Sequence, residues 1–474
     1  MANCGTMGNM TSTKWNVAWN TGSQLLGKLV GSGAMFLVSI LVARGFGAQG
    51  FGDFTKIITF VAFFYLLVDF GLNAVYLQRQ TAPARNAMQS VVGGDSSGPP
   101  TGGAGKADWG TLFSMRLLGG ILLMFFVVAI LAFLPHGTDQ GYTGLVRLGI
   151  ILFSPTILIQ GLIVSANAIF QKHLRYDLAS FALIAGYIVT VFLVAGSVFG
   201  LSSRVGVLGV TTSLLLGLGV TGFVSLFFVR RIEQFAHISF DRKTATMLFM
   251  TALPLGITLL FNQVYFRIDS FVLTLTRSTT EVGLYGLAYK VFELPLVIPT
   301  FFMNSVYPLL LAKQMTKDVG RRTYETKKLL KKSGTILCLM SVVLSLTFWY
   351  AAPLLMYIRP EFAPSIPLLR ILTLGLPFFF LSSLVMWALI ALGKQIVLAG
   401  IYGSLMMVTV LLDILIIPTH GAIGAAWITV GSEGVVLLIS VLYLRRVFHY
   451  PTAVSSESTN YKSTNMQMND RMHK

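Results

Sequence analysis

The chain has 474 residues, of which 54% are hydrophobic and only 11% charged, too apolar for a soluble globular protein. Its formal charge of +17 would suit nucleic acid, but the bases are scattered between apolar stretches and form no soluble basic domain, so anionic lipid headgroups are their expected counterpart. Cys4, Cys338 and six dispersed histidines give neither a disulfide framework nor metal-ligand spacing, so no metal site and no cofactor is expected.

Taken in chain order, apolar segments of membrane-spanning length fall near 24–43, 54–77, 111–134, 145–169, 178–200, 206–229, 250–275, 284–311, 334–357, 366–392, 396–417 and 421–444. This predicts an all-α integral membrane protein with about twelve transmembrane helices. The first segment is too long for a signal-peptide core, lacks a convincing small-residue cleavage site and runs straight into the second, so it is expected to be retained.

Most of the 35 Lys and Arg residues sit at the termini or on connections after even-numbered spans, whereas odd-numbered connections hold only Arg44, Lys56, Arg204, Arg277 and Arg359. By the positive-inside rule both termini are cytoplasmic, and Thr279, between spans 7 and 8, is expected to be accessible from outside. The expected layout is a cytoplasmic segment 1–23, a first six-helix bundle 24–230, a linker 231–249, a second bundle 250–446 and a polar tail 447–474. Within the first bundle, residues 78–110 carry the run from Gly93 to Gly103, rich in Gly, Ser and Pro, which predicts a flexible loop. The bases Arg321, Arg322, Lys327, Lys328, Lys331 and Lys332 predict an amphipathic helix lying on the membrane surface.

Two echoes link the halves. Gly52 and Phe54 after span 1 correspond to Gly283 and Tyr285 after span 7, and Gly206 with Gly209 at the start of span 6 corresponds to Gly421 with Gly424 at the start of span 12. Both offsets are six spans, as in a parallel repeat of two bundles with a substrate path between them. Small residues at this spacing also permit close helix packing.

At Leu41-Val42-Ala43-Arg44-Gly45-Phe46-Gly47, Gly50-Phe51-Gly52-Asp53-Phe54, Asp69-Phe70-Gly71-Leu72-Asn73, Val282-Gly283-Leu284-Tyr285, Tyr307-Pro308, Ala391-Leu392-Gly393-Lys394-Gln395 and Ile417 to Trp427, the chain resembles a known family. It is similar to the polysaccharide transporter branch of the multidrug/oligosaccharidyl-lipid/polysaccharide exporter superfamily, particularly O-antigen and capsule repeat-unit flippases. The resemblance spans roughly the whole membrane region. It implies a V-shaped, MATE-like pair of six-helix bundles around a cationic cavity, moving a polyprenyl (undecaprenyl)-diphosphate-linked oligosaccharide across the plasma membrane, the inner membrane of a bacterium, by alternating access. Polysaccharide polymerases are the partners it suggests, alongside membrane lipids. The loop between spans 2 and 3 is longer than this family usually carries, which leaves its role open. Twelve spans also depart from the fourteen of the peptidoglycan-precursor flippases, which disfavours that relative.

An ionisable group at membrane depth costs a few kcal/mol unless it meets a partner or a wet cavity, which singles out Lys28, Arg267, Asp269, Lys290, Glu293, Asp413 and Glu433. Along the hairpin of spans 7 and 8, Asp269 comes level with Lys290 and Arg267 nearly level with Glu293. Residues two apart on a helix point about 200° from one another, so at most one of Arg267 and Asp269 meets the face shared by Lys290 and Glu293.

Two readings stand for each group. Arg267, Lys28 and Lys290 attract the diphosphate, or they neutralise carboxylates as buried pairs. Asp269 and Glu293 couple transport to a proton or sodium gradient, or they are static counter-charges; pairing suits Glu293, which has two basic candidates, and coupling suits Asp269. Asp413 and Glu433 are expected in interhelical or gating contacts. Gly52 and Gly283 are assigned to packing, and Pro254, Pro295, Pro299 and Pro308 to bends in spans 7 and 8.

A cation or drug exporter of the same superfamily would want an acidic cavity, and these bases oppose it. A membrane glycosyltransferase or polysaccharide polymerase would need a catalytic acid or base and usually a large extramembrane loop, whereas the outer connections here are short and poor in carboxylates. A non-transporting membrane scaffold is the remaining alternative.

Overall fold

The computed structural model describes residues 5–77, 79, 104–201, 203–233, 239–314 and 318–449. Among them are 10 helices long and apolar enough to cross a membrane, and no strand. Two of these, Gly22–Leu77 and Gln395–His449, are 56 and 55 residues long, twice what a bilayer requires. Each breaks near its middle, at Gly47 (φ 69°) and Gly421 (φ 59°), in the left-handed region that disfavours any residue with a Cβ, and the first also turns at Phe70-Gly71 (φ 42° and 78°) near its end. Counting each bent helix twice gives the twelve expected spans.

The two breaks are held in the same way. After Gly47, the backbone N–H of Ala48 donates to Glu361 Oε2 at 3.1 Å, and Glu361 is paired with Arg359 at 3.3 Å. After Gly421, the N–H of Ala422 donates to Glu281 Oε1 at 2.8 Å, and Glu281 is paired with Arg277 at 2.8 Å. A helix break inside an apolar chain leaves backbone groups without intrahelical partners, and a carboxylate with its own counter-ion supplies one. A Cβ at either glycine would collide with its clamp, 2.4 Å from Glu361 Oε2 or 1.9 Å from Glu281 Oε1.

Large apolar side chains stand on the outside, with Phe192, Phe199 and Phe223 at 75%, 82% and 74% exposure, as a protein solvated by lipid tails requires. Spans 1 to 6 pack among themselves, as do spans 7 to 12. At the face carrying the odd-numbered connections the two halves meet backbone to backbone. A Cβ on Gly52 would lie 1.9 Å from the carbonyl oxygen of Thr279, and one on Gly283 would lie 2.0 Å from that of Ala48. The first echo in the sequence thus marks the place where span 2 crosses span 8.

Hydrogen bonds surround the crossing. Lys56, 2% exposed, donates to Thr279 Oγ1 at 2.8 Å and to the carbonyls of Gly141 and Asp139 at 3.0 and 3.4 Å. Gly141 N–H donates to the Thr274 carbonyl at 2.8 Å. Toward the terminal face, contact between the halves passes to span 7. There Phe70, at the end of span 2, lies over Gly256 and stacks on Phe249 at 6.1 Å.

Several expectations are corrected. The helix leading into span 3 begins at Ala104, inside the stretch read as a loop, and the rest of that loop lies largely outside the described residues. The helix containing span 1 begins at Gly5 and its apolar span at Gly22, within one position of residue 23, so the expected N-terminal segment is helical from Gly5. The tail beyond His449 and residues 234–238 of the linker also lie outside the described residues. The basic run does not form a separate surface helix. It is the start of one helix, Val319–Ala351, capped by Asp318, because no Gly or Pro separates it from span 9 and extending a helix costs less than nucleating another. Thr279 is only 1% exposed, held by Lys56 and by the carbonyl of Asp139. The second echo is not conformational either: Gly421 is a break, whereas Gly206 is helical and packs beneath the ring of Phe46.

Topology is therefore best tested at exposed positions on opposite faces. A cysteine at His136 should react with a membrane-impermeant thiol reagent in intact cells, and one at Arg321 should react only after the cells are opened. The reverse pattern would invert the protein. At the crossing, Thr279→Cys should be protected, and adding Gly52→Ala should expose it by forcing spans 2 and 8 apart.

Candidate functional site

On the terminal side of that crossing lies a cavity of about 570 Å³ between the bundles. Span 1 contributes Lys28 to its wall, span 5 contributes Tyr187, and span 8 contributes Lys290, Glu293 and Phe301. Span 8 is not one helix. It runs as Thr279–Glu293, a short 3₁₀ turn Leu294–Leu296 containing Pro295, and Val297–Gln314. Proline lacks the N–H that would continue the ladder, and the resulting break brings Leu294, Leu296 and Val297 into the cavity wall directly after Glu293. The prolines at 254 and 308 are accommodated within continuous helices.

Glu293 organises the charge here. Its Oε1 accepts from Arg267 at 2.7 Å and its Oε2 from Lys290 at 2.8 Å. Three bases, Arg267, Lys290 and Lys28, thus stand against one carboxylate, so the site is cationic on balance. Arg267 also lies 5.6 Å from the Tyr289 ring centroid, and Lys28 lies 5.8 Å from that of Phe301. Lys28 and Lys290 line the cavity, whereas Arg267 packs behind Glu293.

Asp269, about 200° around the helix from Arg267, points into the second bundle. Tyr285 donates to its Oδ2, and the Ser270 N–H donates to its Oδ1 at 2.6 Å. Thr429 Oγ1 lies 3.5 Å away, and Asp269, Thr429 and Asp413 line one small interior recess with Thr409 and Ser432. Asp413 is fully buried, and neither carboxylate oxygen has a hydrogen-bond partner among the described residues. Glu433 is bound across helices instead, accepting from Ser382 and from Tyr265 at 3.1 Å. Among the described residues no group of three or more His, Cys, Asp or Glu is placed to hold a metal ion.

Glu361 and Arg116 carry no mark in the sequence, Lys56 stands out only as a base on the wrong side, and Tyr285 only as the echo of Phe54. Arg116 is 1% exposed and donates to Asp69 at 2.5 Å, joining spans 2 and 3. A usable signal existed: Lys56, Arg277 and Arg359 are exceptions to the topology rule, and each is bonded into the crossing or a kink clamp.

A V of two six-helix bundles about a central cavity is the fold shared by transporters of the multidrug/oligosaccharidyl-lipid/polysaccharide exporter superfamily. Among solved structures, the chain is similar to the lipid II flippase MurJ in an inward closed conformation (TM-score 0.64, 16% identity, covering 90% of this chain and 87% of that one). It is also similar to an inward-facing multidrug resistance MATE family transporter (0.67, 14%, 90% and 94%) and to a superfamily transporter from Pyrococcus furiosus described as having a binding pocket of reverse polarity (0.62, 14%, 92% and 96%). No curated protein sequence matches it. The chain belongs to the polysaccharide biosynthesis protein family, whose profile matches residues 16–315, more than half of its length.

Removing one member of the Glu293 cluster should strand a charge. Glu293→Gln should destabilise the protein by about 1–3 kcal/mol, less than the ~3–5 kcal/mol of a fully buried pair because water reaches the cavity. The double variant Glu293→Gln with Arg267→Met should recover folded yield, read as monodisperse protein in detergent. If the double variant falls further than the single one, the charges are not paired in the folded protein.

Proposed function

We propose that this protein is a flippase that carries a polyprenyl-diphosphate-linked oligosaccharide across the plasma membrane, for assembly of a surface polysaccharide. The observation that carries the reading is a cavity lined by an ammonium group from each bundle, Lys28 from the first and Lys290 from the second. A diphosphate between them would bind both bundles, and its attraction would not be cancelled, because Glu293 is already shared between Lys290 and Arg267. Apolar neighbours such as Met35, Phe36 and Phe301 suit the adjoining lipid. The work consists of shielding a polar headgroup during passage and requires no covalent chemistry.

With cytoplasmic termini, the cavity faces the cytoplasm, where such a lipid-linked glycan would be loaded. Residues 24–230 and 250–446 would move as two units, and the hydrogen bonds around Gly52 and Gly283 would part to release cargo outside, where a polymerase could receive it. The driving force would enter through Asp269 and Asp413. An unpartnered carboxylate buried beside a second one is carried either as the neutral acid or with a bound cation, so occupancy by a proton or sodium ion can bias the packing of spans 7, 11 and 12.

In proteoliposomes loaded with an undecaprenyl-diphosphate-linked oligosaccharide, Lys28→Ala and Lys290→Ala should each slow translocation at least about tenfold, as loss of a charge-assisted contact implies. Full activity in both variants would exclude the cationic site. Asp269→Asn should fold normally and lose its response to an imposed proton or sodium gradient. A well-folded variant with unchanged ion dependence would eliminate coupling through Asp269.

A further inference from the structure

We propose that a second chamber, inside the first bundle, receives one uncharged sugar ring of the cargo; this rests on the lipid-linked glycan reading above and assigns the glycan its own subsite. The chamber has a volume of about 220 Å³ and borders the central cavity, with Met35, Leu183 and Tyr187 forming walls of both. It lies below the roughly 300 Å³ at which drug-sized pockets begin, the scale of a single sugar unit rather than an oligosaccharide.

Its far wall is made by a close crossing of spans 5 and 6. A Cβ on Gly186 would lie 1.9 Å from Thr221 Oγ1, and one on Gly217 would lie 1.8 Å from Thr190 Oγ1. Each threonine is four residues after a glycine on its own helix and donates to that glycine's carbonyl, at 2.9 Å for Thr190 and 3.2 Å for Thr221. Tyr65 likewise donates to Thr156 at 2.7 Å. These three hydroxyls have spent their donors and keep acceptor lone pairs.

Gln160 and Tyr187 complete the polar lining, and neither side chain has a hydrogen-bond partner among the described residues. The amide offers two donors and an acceptor, and the phenol one of each. Uncommitted polar groups inside a membrane bundle are costly unless something fills the space between them. Among the described residues no Lys, Arg, His, Asp or Glu borders the chamber.

That combination matches a neutral pyranose. Its hydroxyls both donate and accept, and its C–H faces can lie on Tyr187 and Met35. A diphosphate or a uronic acid carboxylate would be buried there without a counter-ion and is excluded, so the lysines hold the phosphates while the chamber holds a sugar. A polyprenyl tail is disfavoured because it would leave every polar group unpaired.

The test uses the full chain in lipid nanodiscs and three probes: undecaprenyl diphosphate, the same lipid bearing N-acetylglucosamine, and the same lipid bearing glucuronic acid, with affinities read by native mass spectrometry. The N-acetylglucosamine lipid should bind more tightly than the bare lipid, and the glucuronic acid lipid should not. Gln160→Leu and Thr221→Val should each weaken the neutral-sugar lipid about tenfold, the size of one or two lost hydrogen bonds, and leave the bare lipid unchanged. If the bare lipid binds but the neutral sugar adds nothing, or if the variants weaken both lipids equally, the chamber is overturned and the cationic site stands. If none of the three binds, the lipid-linked cargo reading fails and the chamber with it.

Discussion

Two glycines facing one another set the architecture. Gly52 and Gly283 let span 2 and span 8 touch through their backbones, and no side chain, even a methyl group, fits between them. Helices in lipid gain nothing from hydrophobic exclusion of water, so close van der Waals contact and interhelical hydrogen bonds must hold the halves together. Closure here on the odd-numbered face leaves the other side of the same interface as a cavity.

Electrostatics reinforces this division. Lys56 is buried at the crossing with three oxygen acceptors, two of them backbone carbonyls from the connection between spans 3 and 4. These acceptors are a hydroxyl and two carbonyls and carry no full charge, so water can replace any of them. Glu361 adds a second link, reaching from the second bundle to the broken helix of the first. The clamp at Gly421 has the same chemistry but stays within the second bundle, so it fixes a bend and does not join the halves.

Below the seal, the charged residues of span 7 are sorted by helical angle. Arg267 turns to the cavity wall and shares Glu293 with Lys290, while Asp269, two residues on, turns inward to Tyr285 and Thr429. Span 7 thus supports the cationic cavity from behind, through Arg267 on Glu293, and lines the acidic recess through Asp269. Any change in packing around Asp269 therefore acts on the helix that also holds Arg267.

The sequence by itself determined the twelve crossings, the two halves and the short set of charged residues inside the membrane, because a bilayer demands long apolar helices and penalises every exception. It also determined that Arg267 and Asp269 must part company, since helix geometry fixes the angle between neighbours. Tertiary structure alone decided that Gly47 and Gly421 are breaks while Gly206 is not, because a glycine's φ depends on what stands beside it, here the Glu361 and Glu281 clamps. It alone buried Thr279 and Lys56, whose partners lie 140 and 85 residues away in sequence, and it alone gathered the polar groups of spans 2, 4, 5 and 6 into a chamber. Such pairings follow from which helices touch, and local periodicity carries no record of that.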